Sequence, residues 1–410
     1  MNDFLPAPDA VSADLWERLA HTDKPVVLYG MGNGADKILA ALKRHGVEAA
    51  DVFASDGFVR GHAFHGKVVL TYAEVAAKYE DFIVLLSFGS SLPEVLARFD
   101  ALDAAREVYA PDVPVTEGDA LFTRQFYREN YDKFRAAYDL LCDEESKRIF
   151  GELVRYKLTG KLEYLRAATS APDCEASILD FAHYEIMVDA GAYNGDTARK
   201  FIAACPHAKT IYAIEPERRS YKKLTAYAEG ETAAKVLPFR FCAWSEKGDT
   251  TFSAEGNRNS ATKAGGGDIV LLDTVDSLGA PADYIKYDVE GAEREALLGS
   301  RETILHRRPD LLVSAYHRSE DLFDLPLLLH GQFPFYELRL RRFPYVPAWD
   351  INLYATVPSI DKGRDPNSVF SHFFAEFAQN LLQFSNPRCI MPSEMIGIRS
   401  GVPCFACRKG

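Results

Sequence analysis

Residues 186 to 196 read I-M-V-D-A-G-A-Y-N-G-D, a short apolar run followed by an acid and two glycines. The pattern predicts a strand that runs into a tight turn and opens a helix. Asp189 falls at the carboxyl end of that strand, where open α/β sheets bind ligands, and Gly191 and Gly195 let the backbone pass close to a bound molecule. Glu215 ends a second strand, T-I-Y-A-I-E, where dinucleotide folds place the acid that holds ribose hydroxyls. Strand, glycine turn, helix, strand and acid together make a nucleoside-binding unit.

The whole chain has 410 residues with 47% hydrophobic composition, enough for two or three domains. The first ten residues, M-N-D-F-L-P-A-P-D-A, lack a basic segment with an apolar core behind it. No apolar run approaches the roughly 20 residues of a spanning helix, so neither secretion nor membrane insertion is expected. The 7 cysteines, at 142, 174, 205, 242, 389, 404 and 407, are odd in number and scattered, which suits a reducing, cytoplasmic setting. A formal net charge of -12 argues against nucleic acid as a partner, because backbone affinity comes from clustered Lys and Arg. A small molecule is the expected substrate.

Outward from the central stretch, the pattern predicts an α/β fold with two doubly wound, Rossmann-like domains joined by a helical connector. The N-terminal domain spans 1–115, the connector 116–179, the second domain 180–357 and a tail 358–410. After a short helix around Leu15 to Leu19, the run V-V-L-Y-G-M-G-N-G-A reads as a strand and glycine turn, with Gly30, Gly32 and Ala35 fitting G-x-G-x-x-A. A following strand, A-D-V-F-A-S-D, ends at Asp56, and another, F-I-V-L-L-S-F, ends before Gly89. Either this turn cradles a nucleotide or nucleotide sugar with its ribose on Asp56, or the glycines serve a tight turn and nothing more. His62 and His65 lack partners at metal-ligand spacing and read as loop residues. In the connector, Phe134, Tyr138 and Leu141, and then Ile149, Leu153 and Tyr156, recur at helical spacing and read as core, with Asp143 to Glu145 at a helix N-terminus.

In the second domain, V-L-P-F-R-F-C predicts a third strand leading into Ala243 and Trp244, where an adenine ring would lie. Trp244 reads equally as a flat wall for that ring or as a core aromatic. A hairpin around Gly248 carries a polar, glycine-rich loop over 255–268, read as a lid or a plain surface excursion. The run D-Y-I-K-Y-D-V-E-G-A-E, residues 283–293, delivers Asp288 to the same rim, with Glu290 just beyond it, and D-L-L-V-S-A-Y-H brings His317 there.

These motifs resemble the FkbM-type methyltransferases, a class I Rossmann-like family. The resemblance rests on D-A-G-A-Y-N-G-D-T (189–197), Glu215-Pro216, Ala243-Trp244-Ser245, and above all I-K-Y-D-V-E-G-A-E with P-D-L-L-V-S-A-Y-H, and it covers roughly 180–356. Family members commonly read D-x-G-A-N-x-G, and Tyr193 stands here where that Asn would be. The resemblance implies S-adenosyl-L-methionine as cofactor, held by Asp189, Gly191, Tyr193, Gly195, Asp196, Glu215, Ala243, Trp244, Asp288 and Glu290. It implies O-methylation of a small-molecule or glycan-precursor hydroxyl. Such a hydroxyl loses its proton as the bond forms, and His317 is the expected base, with Asp288 orienting cofactor or acceptor. A histidine that bonds a backbone carbonyl at the strand end fits His317 as well. Asp288 with Glu290 or His317 could take a divalent ion, but without a second pair at diagnostic spacing no metal is expected.

Two other classes fit parts of the chain. One is a non-catalytic nucleotide-binding or regulatory protein that keeps the fold; the other is a nicotinamide-dependent oxidoreductase using Gly30, Gly32 and Asp56. Arg339, Arg341 and Arg342 read as an exposed strand face or as contacts for an anionic acceptor. Cys404 and Cys407 are half of a four-ligand zinc pattern whose other half is missing, so zinc is not expected.

Overall fold

Two parallel sheets organise the molecule, each doubly wound about its own switch point. The computed structural model describes residues 3–358 apart from 60, 117–119, 254–260 and 263–267, and these described residues fall within one compact unit. The first sheet contains β1 (Val26–Tyr29), β2 (Asp51–Phe53), β3 (Ala63–Phe64), β4 (Lys67–Leu70), β5 (Ile83–Leu86) and β6 (Glu107–Tyr109), in the order β3-β4-β2-β1-β5-β6. All its pairings are parallel except that of β3 with β4. The chain winds outward from β1 to β4, then returns to β5 and winds the other way, so the switch point lies between β1 and β5.

At that switch point the glycines are packed by the chain itself. A Cβ on Gly30 would stand 2.6 Å from the Phe88 ring, and one on Gly34 would stand 2.4 Å from the Ser87 carbonyl oxygen. Close helix-to-strand packing therefore accounts for both residues. Strand β2 stops at Phe53, and Asp56 opens a short helix, Asp56–Val59, instead of ending the strand as the alternation predicted. The reason is local: Ser55-Asp56-Gly57 prefers a turn to a ladder position. His65 pairs with Asp36 at 2.6 Å on the surface.

The second sheet contains β7 (Ile186–Ala190), β8 (Thr210–Ile214), β9 (Lys235–Phe239), β14 (Tyr284–Tyr287), β15 (Asp310–Ser314), β16 (Glu337–Arg342) and β17 (Ile351–Thr356). Their order is β16-β17-β15-β14-β7-β8-β9, parallel from β15 through β9 and antiparallel at β17. Its switch point falls between β7 and β14, which brings Asp189 and Asp288 to neighbouring strand ends. A small sheet of β10 (Cys242–Ala243), β11 (Gly248–Ser253), β12 (Ala261–Thr262) and β13 (Asp268–Asp273) supplies the hairpin expected after Trp244. Most of the polar loop expected there, like the tail from 359 onward with Cys404 and Cys407, lies outside the described residues. No helix among those residues is long and apolar enough to cross a membrane.

The connector forms helices Arg124–Glu129, Tyr131–Leu140, Glu144–Thr159 and Leu162–Ala167, whose aromatic stripe joins the main core. Phe134, Ile149, Leu153 and Tyr156 are fully buried. Here the reading of the C-terminal arginines needs correction. Arg341 and Arg342 are buried, because their strand faces the connector and not water. Arg341 Nη2 lies 3.0 Å from Asp143 Oδ2, and its Nη1 donates to Ser146 Oγ at 2.8 Å. Asp143 also caps the helix by accepting from Ser146 N at 2.6 Å. Asp143→Ala removes both cap and counter-ion, and is expected to cost about 2–3 kcal/mol in denaturant unfolding.

Candidate active site

The turn after β7 works only because its glycines carry no side chain. Gly191 has φ +88°, and a Cβ there would stand 1.9 Å from the Asp288 carbonyl oxygen. Gly195 has φ +84°, with the Tyr227 ring 2.4 Å from the position of its Cβ, and it precedes helix Asp196–Ala204. Tyr193 between them holds φ +48°, a left-handed conformation unusual for a bulky residue. That turn aims the Tyr193 amide at Glu215, whose Oε2 accepts from it at 2.8 Å while Oε1 accepts from Glu217 N at 2.7 Å. Burial pushes the Glu215 carboxyl up to about 8, against the pull of those two amides.

Glu215 lies in the wall of a cavity of about 970 Å³ on the carboxyl rim of the second sheet. Tyr193, Asp196, Ala243 and Trp244 line it beside Glu215, and Lys286, Asp288 and Glu290 line it further along the rim. Asp189 is placed differently from the other expected residues. It is fully buried behind the wall with neither carboxylate oxygen hydrogen-bonded, and burial pushes it up to about 6. Lys286, which the sequence reading passed over, supplies the nearby cation: its Nζ lies 3.9 Å from Asp189 Oδ1 and 3.2 Å from Asp288 Oδ2. The shelter of the site raises Asp288, but Lys286 and His317 outweigh that and hold it at about 2.

His317 reaches the rim but sits behind it. The imidazole is fully buried, with Nε2 3.6 Å from both Asp288 Oδ1 and Glu290 Oε2, and Nδ1 2.9 Å from Glu293 Oε1. The last contact has the length of a hydrogen bond without its alignment, and neither ring nitrogen makes one. Burial alone would lower the imidazole; Glu293 and then Glu290 and Asp288 outweigh it and push the ring up to about 10. A ring so placed favours its charged form while no other cation sits among these carboxylates. It bonds no backbone carbonyl. Glu290 stands in front of it with φ +54°, ahead of Gly291 at φ +95°, so two successive left-handed residues swing its carboxylate to the cavity wall. Sheltering pushes Glu290 up to about 7.

The far end of the cavity is built by parts of the chain distant in sequence. Ser91, Val115, Thr116, Tyr345, Trp349 and Asp350 all line it. Ser90 and Val346 exchange backbone hydrogen bonds at 2.9 and 3.0 Å, and Gly89 leaves room for the Tyr345 and Trp349 rings. Val115 N donates to the His317 carbonyl at 3.2 Å, and Lys37 Nζ donates to the Pro114 and Val115 carbonyls. The first sheet's switch-point loop is thereby pinned against the second sheet's rim. No local pattern signals such contacts, which is why these residues were not expected.

Residues 189–345 match the model of the methyltransferase FkbM domain. Among solved structures, the chain is similar to a methyltransferase FkbM from Methylobacillus flagellatus KT, with 21% identity and a TM-score of 0.63 over 86% of this chain and 94% of that one. A looser match is a precorrin-6y C5,15-methyltransferase from Geobacter metallireducens GS-15, with 13% identity and a TM-score of 0.30 over 47% of this chain and 94% of that one. No curated protein matches the chain. The glycine turn and the acids of the rim between β7 and β15 thus fall within the stretch that matches the methyltransferase FkbM domain, on a fold like that of the Methylobacillus flagellatus protein.

Proposed function

We propose that the protein transfers a methyl group from S-adenosyl-L-methionine to a hydroxyl of a small molecule or glycan precursor. The observation that carries this reading is Glu215, a buried carboxylate fixed by two backbone amides at the cavity wall beside a turn that tolerates no side chain at Gly191. Its remaining lone pairs suit the two ribose hydroxyls, and Ala243 and Trp244 stand where the adenine ring would rest. Lys286 holds Asp288 ionised beside the turn, and that carboxylate would meet the positive sulfonium of a bound cofactor.

In the transfer the acceptor oxygen attacks the methyl carbon in line, the carbon–sulfur bond breaks, and S-adenosylhomocysteine leaves. Alignment and exclusion of water carry much of the acceleration. The hydroxyl proton goes to Glu290, the carboxylate on the cavity wall, while His317 behind it holds the acidic rim together. Glu290→Gln is expected to lower kcat by about 100-fold or more and leave cofactor affinity unchanged; single-turnover assays and titration of S-adenosylhomocysteine read the two separately. The acceptor end is formed by Ser91, Val115 and Thr116 with Tyr345 and Trp349, which gives the domain at 1–115 and the connector at 116–179 a scaffolding role in this reading.

Glu215 gives the test its sign. With the carboxyl raised to about 8, the empty site holds the proton at pH 7, whereas a ribose diol needs the ionised form as acceptor. Affinity for S-adenosylhomocysteine should therefore rise roughly thirtyfold between about pH 6.5 and 9. The stability that this group gives the unliganded protein runs the other way, being full below about pH 4.5 and lost as pH rises through about 8. Glu215→Gln flattens the affinity profile. A profile unchanged in that variant contradicts the assignment of Glu215 to the ribose.

A further inference from the structure

We infer that the acidic rim is a binding site for one divalent metal ion, held by Asp288, Glu293 and His317. One ligand atom from each of the three lies within 4.8 Å of the others. The three residues come from different elements: Asp288 follows β14, Glu293 opens helix Glu293–Leu298, and His317 follows β15. Their convergence is a product of the tertiary fold: the sequence offered Asp288 with Glu290 or His317 as ion ligands, and the fold adds Glu293.

A cluster of acids is common without an ion, so the state of the buried atoms decides the matter. Glu293 is 1% exposed and His317 is fully buried, yet Glu293 Oε2 and both imidazole nitrogens make no hydrogen bond. Buried polar groups are almost always satisfied, so Glu293 Oε2 and an imidazole whose nitrogens, ion-paired but unaligned, make no hydrogen bond call for a further partner, which one ring nitrogen would bind together with the carboxylates. A cation is such a partner. Glu293 is already oriented for it: Oε1 accepts from Val289 N at 2.9 Å and from Gly291 N at 3.4 Å, which fixes the carboxylate and leaves Oε2 for coordination. The site also has access, because Asp288 and Glu290 line the cavity while Glu293 and His317 stand behind them. Substrate oxygen or water can complete the ion's coordination from the cavity side.

One imidazole and two carboxylates form a mixed donor set of mainly hard oxygen atoms, which favours Mn²⁺ or Mg²⁺ over the thiolate-seeking metals. On the cavity side such an ion takes the acceptor oxygen as a ligand and eases loss of its proton toward Glu290. That role rests on the methyl-transfer reading; the binding site does not.

The test is a titration of the chelator-stripped full chain with MnCl₂, followed by calorimetry and electron paramagnetic resonance. The expected result is one saturable site, weakened by at least about tenfold in Asp288→Asn and Glu293→Gln and unchanged in Glu302→Gln, an exposed acid on helix Arg301–Arg307. If the rim variants do not fold, the wild-type protein still decides, since electron spin-echo modulation from a coordinated imidazole nitrogen must accompany the bound Mn²⁺. No saturable binding, binding equal in all variants, or bound Mn²⁺ without nitrogen modulation overturns the site. Parallel titration with S-adenosylhomocysteine separates the two readings. Cofactor binding without a manganese site leaves the methyltransferase reading standing alone, and a manganese site without cofactor binding leaves the metal site alone.

Discussion

Gly191→Ala is expected to destabilise the protein by about 3–5 kcal/mol and to abolish binding of S-adenosylhomocysteine. Two costs add at this position. The φ of +88° puts any L-residue in a region that only glycine enters freely, and the new methyl would stand 1.9 Å from the Asp288 carbonyl oxygen. That carbonyl belongs to the rim itself and cannot retreat without moving β14. The turn cannot rotate away either, because Gly191 N and Ala192 N both donate to the Ile214 carbonyl, at 3.0 and 2.9 Å. Gly46→Ala is the matched comparison: its φ is +71°, but nothing lies within 4 Å of the added methyl, so about 1 kcal/mol is expected. Denaturant unfolding of the two variants separates steric collision from backbone strain. Equal losses would mean that the close approach of Gly191 to Asp288 is not a constraint.

His317→Ala is expected to cost about 3–5 kcal/mol in the metal-free protein, as well as activity. Removing the ring leaves Asp288, Glu290 and Glu293 close to one another with Lys286, on the Asp288 side, as the cation paired with them among the described residues. A histidine acting only as a base would give a different result, with catalysis lost at little cost in stability. The double variant His317→Ala with Asp288→Asn sharpens the distinction. Removing one carboxylate relieves the cluster, so the double variant should be less destabilised than the sum of the single ones. Additive losses would show that the carboxylates and the ring do not act as a unit.

What the sequence shows of this molecule is what is local in the chain. The strand, glycine turn and helix at 186–196 are legible because apolar run, turn glycines and helix start are neighbours, and the structure has β7, the turn and helix Asp196–Ala204 there. The acids at 215, 288 and 290 are legible for the same reason, Glu215 following β8 and Asp288 and Glu290 following β14. Charge partners are not legible, since they depend on which strands become adjacent. Lys286 is an unremarked alternation in Y-I-K-Y until β14 is laid beside β7 and its ammonium meets Asp189. Arg341 and Arg342 read as surface charge because their partners, Asp143 and the carbonyls near Leu165, lie some 170 to 200 positions earlier. The same distance hides the contribution of Ser91 and Val115 to the cavity. His317 was found, but the gathering of three carboxylates around it was not, because they reach it from other elements.

The central claim is that the glycine turn and Glu215 hold an adenosyl cofactor. Calorimetric titration of the purified chain with S-adenosylhomocysteine, and separately with NAD and a uridine diphosphate sugar, repeated on Glu215→Ala, tests it most directly. The account predicts one site for S-adenosylhomocysteine, lost in the variant, and none of comparable affinity for the other two. Binding of NAD or the nucleotide sugar alone, unaffected by the substitution, would contradict it and move the ligand to the first sheet.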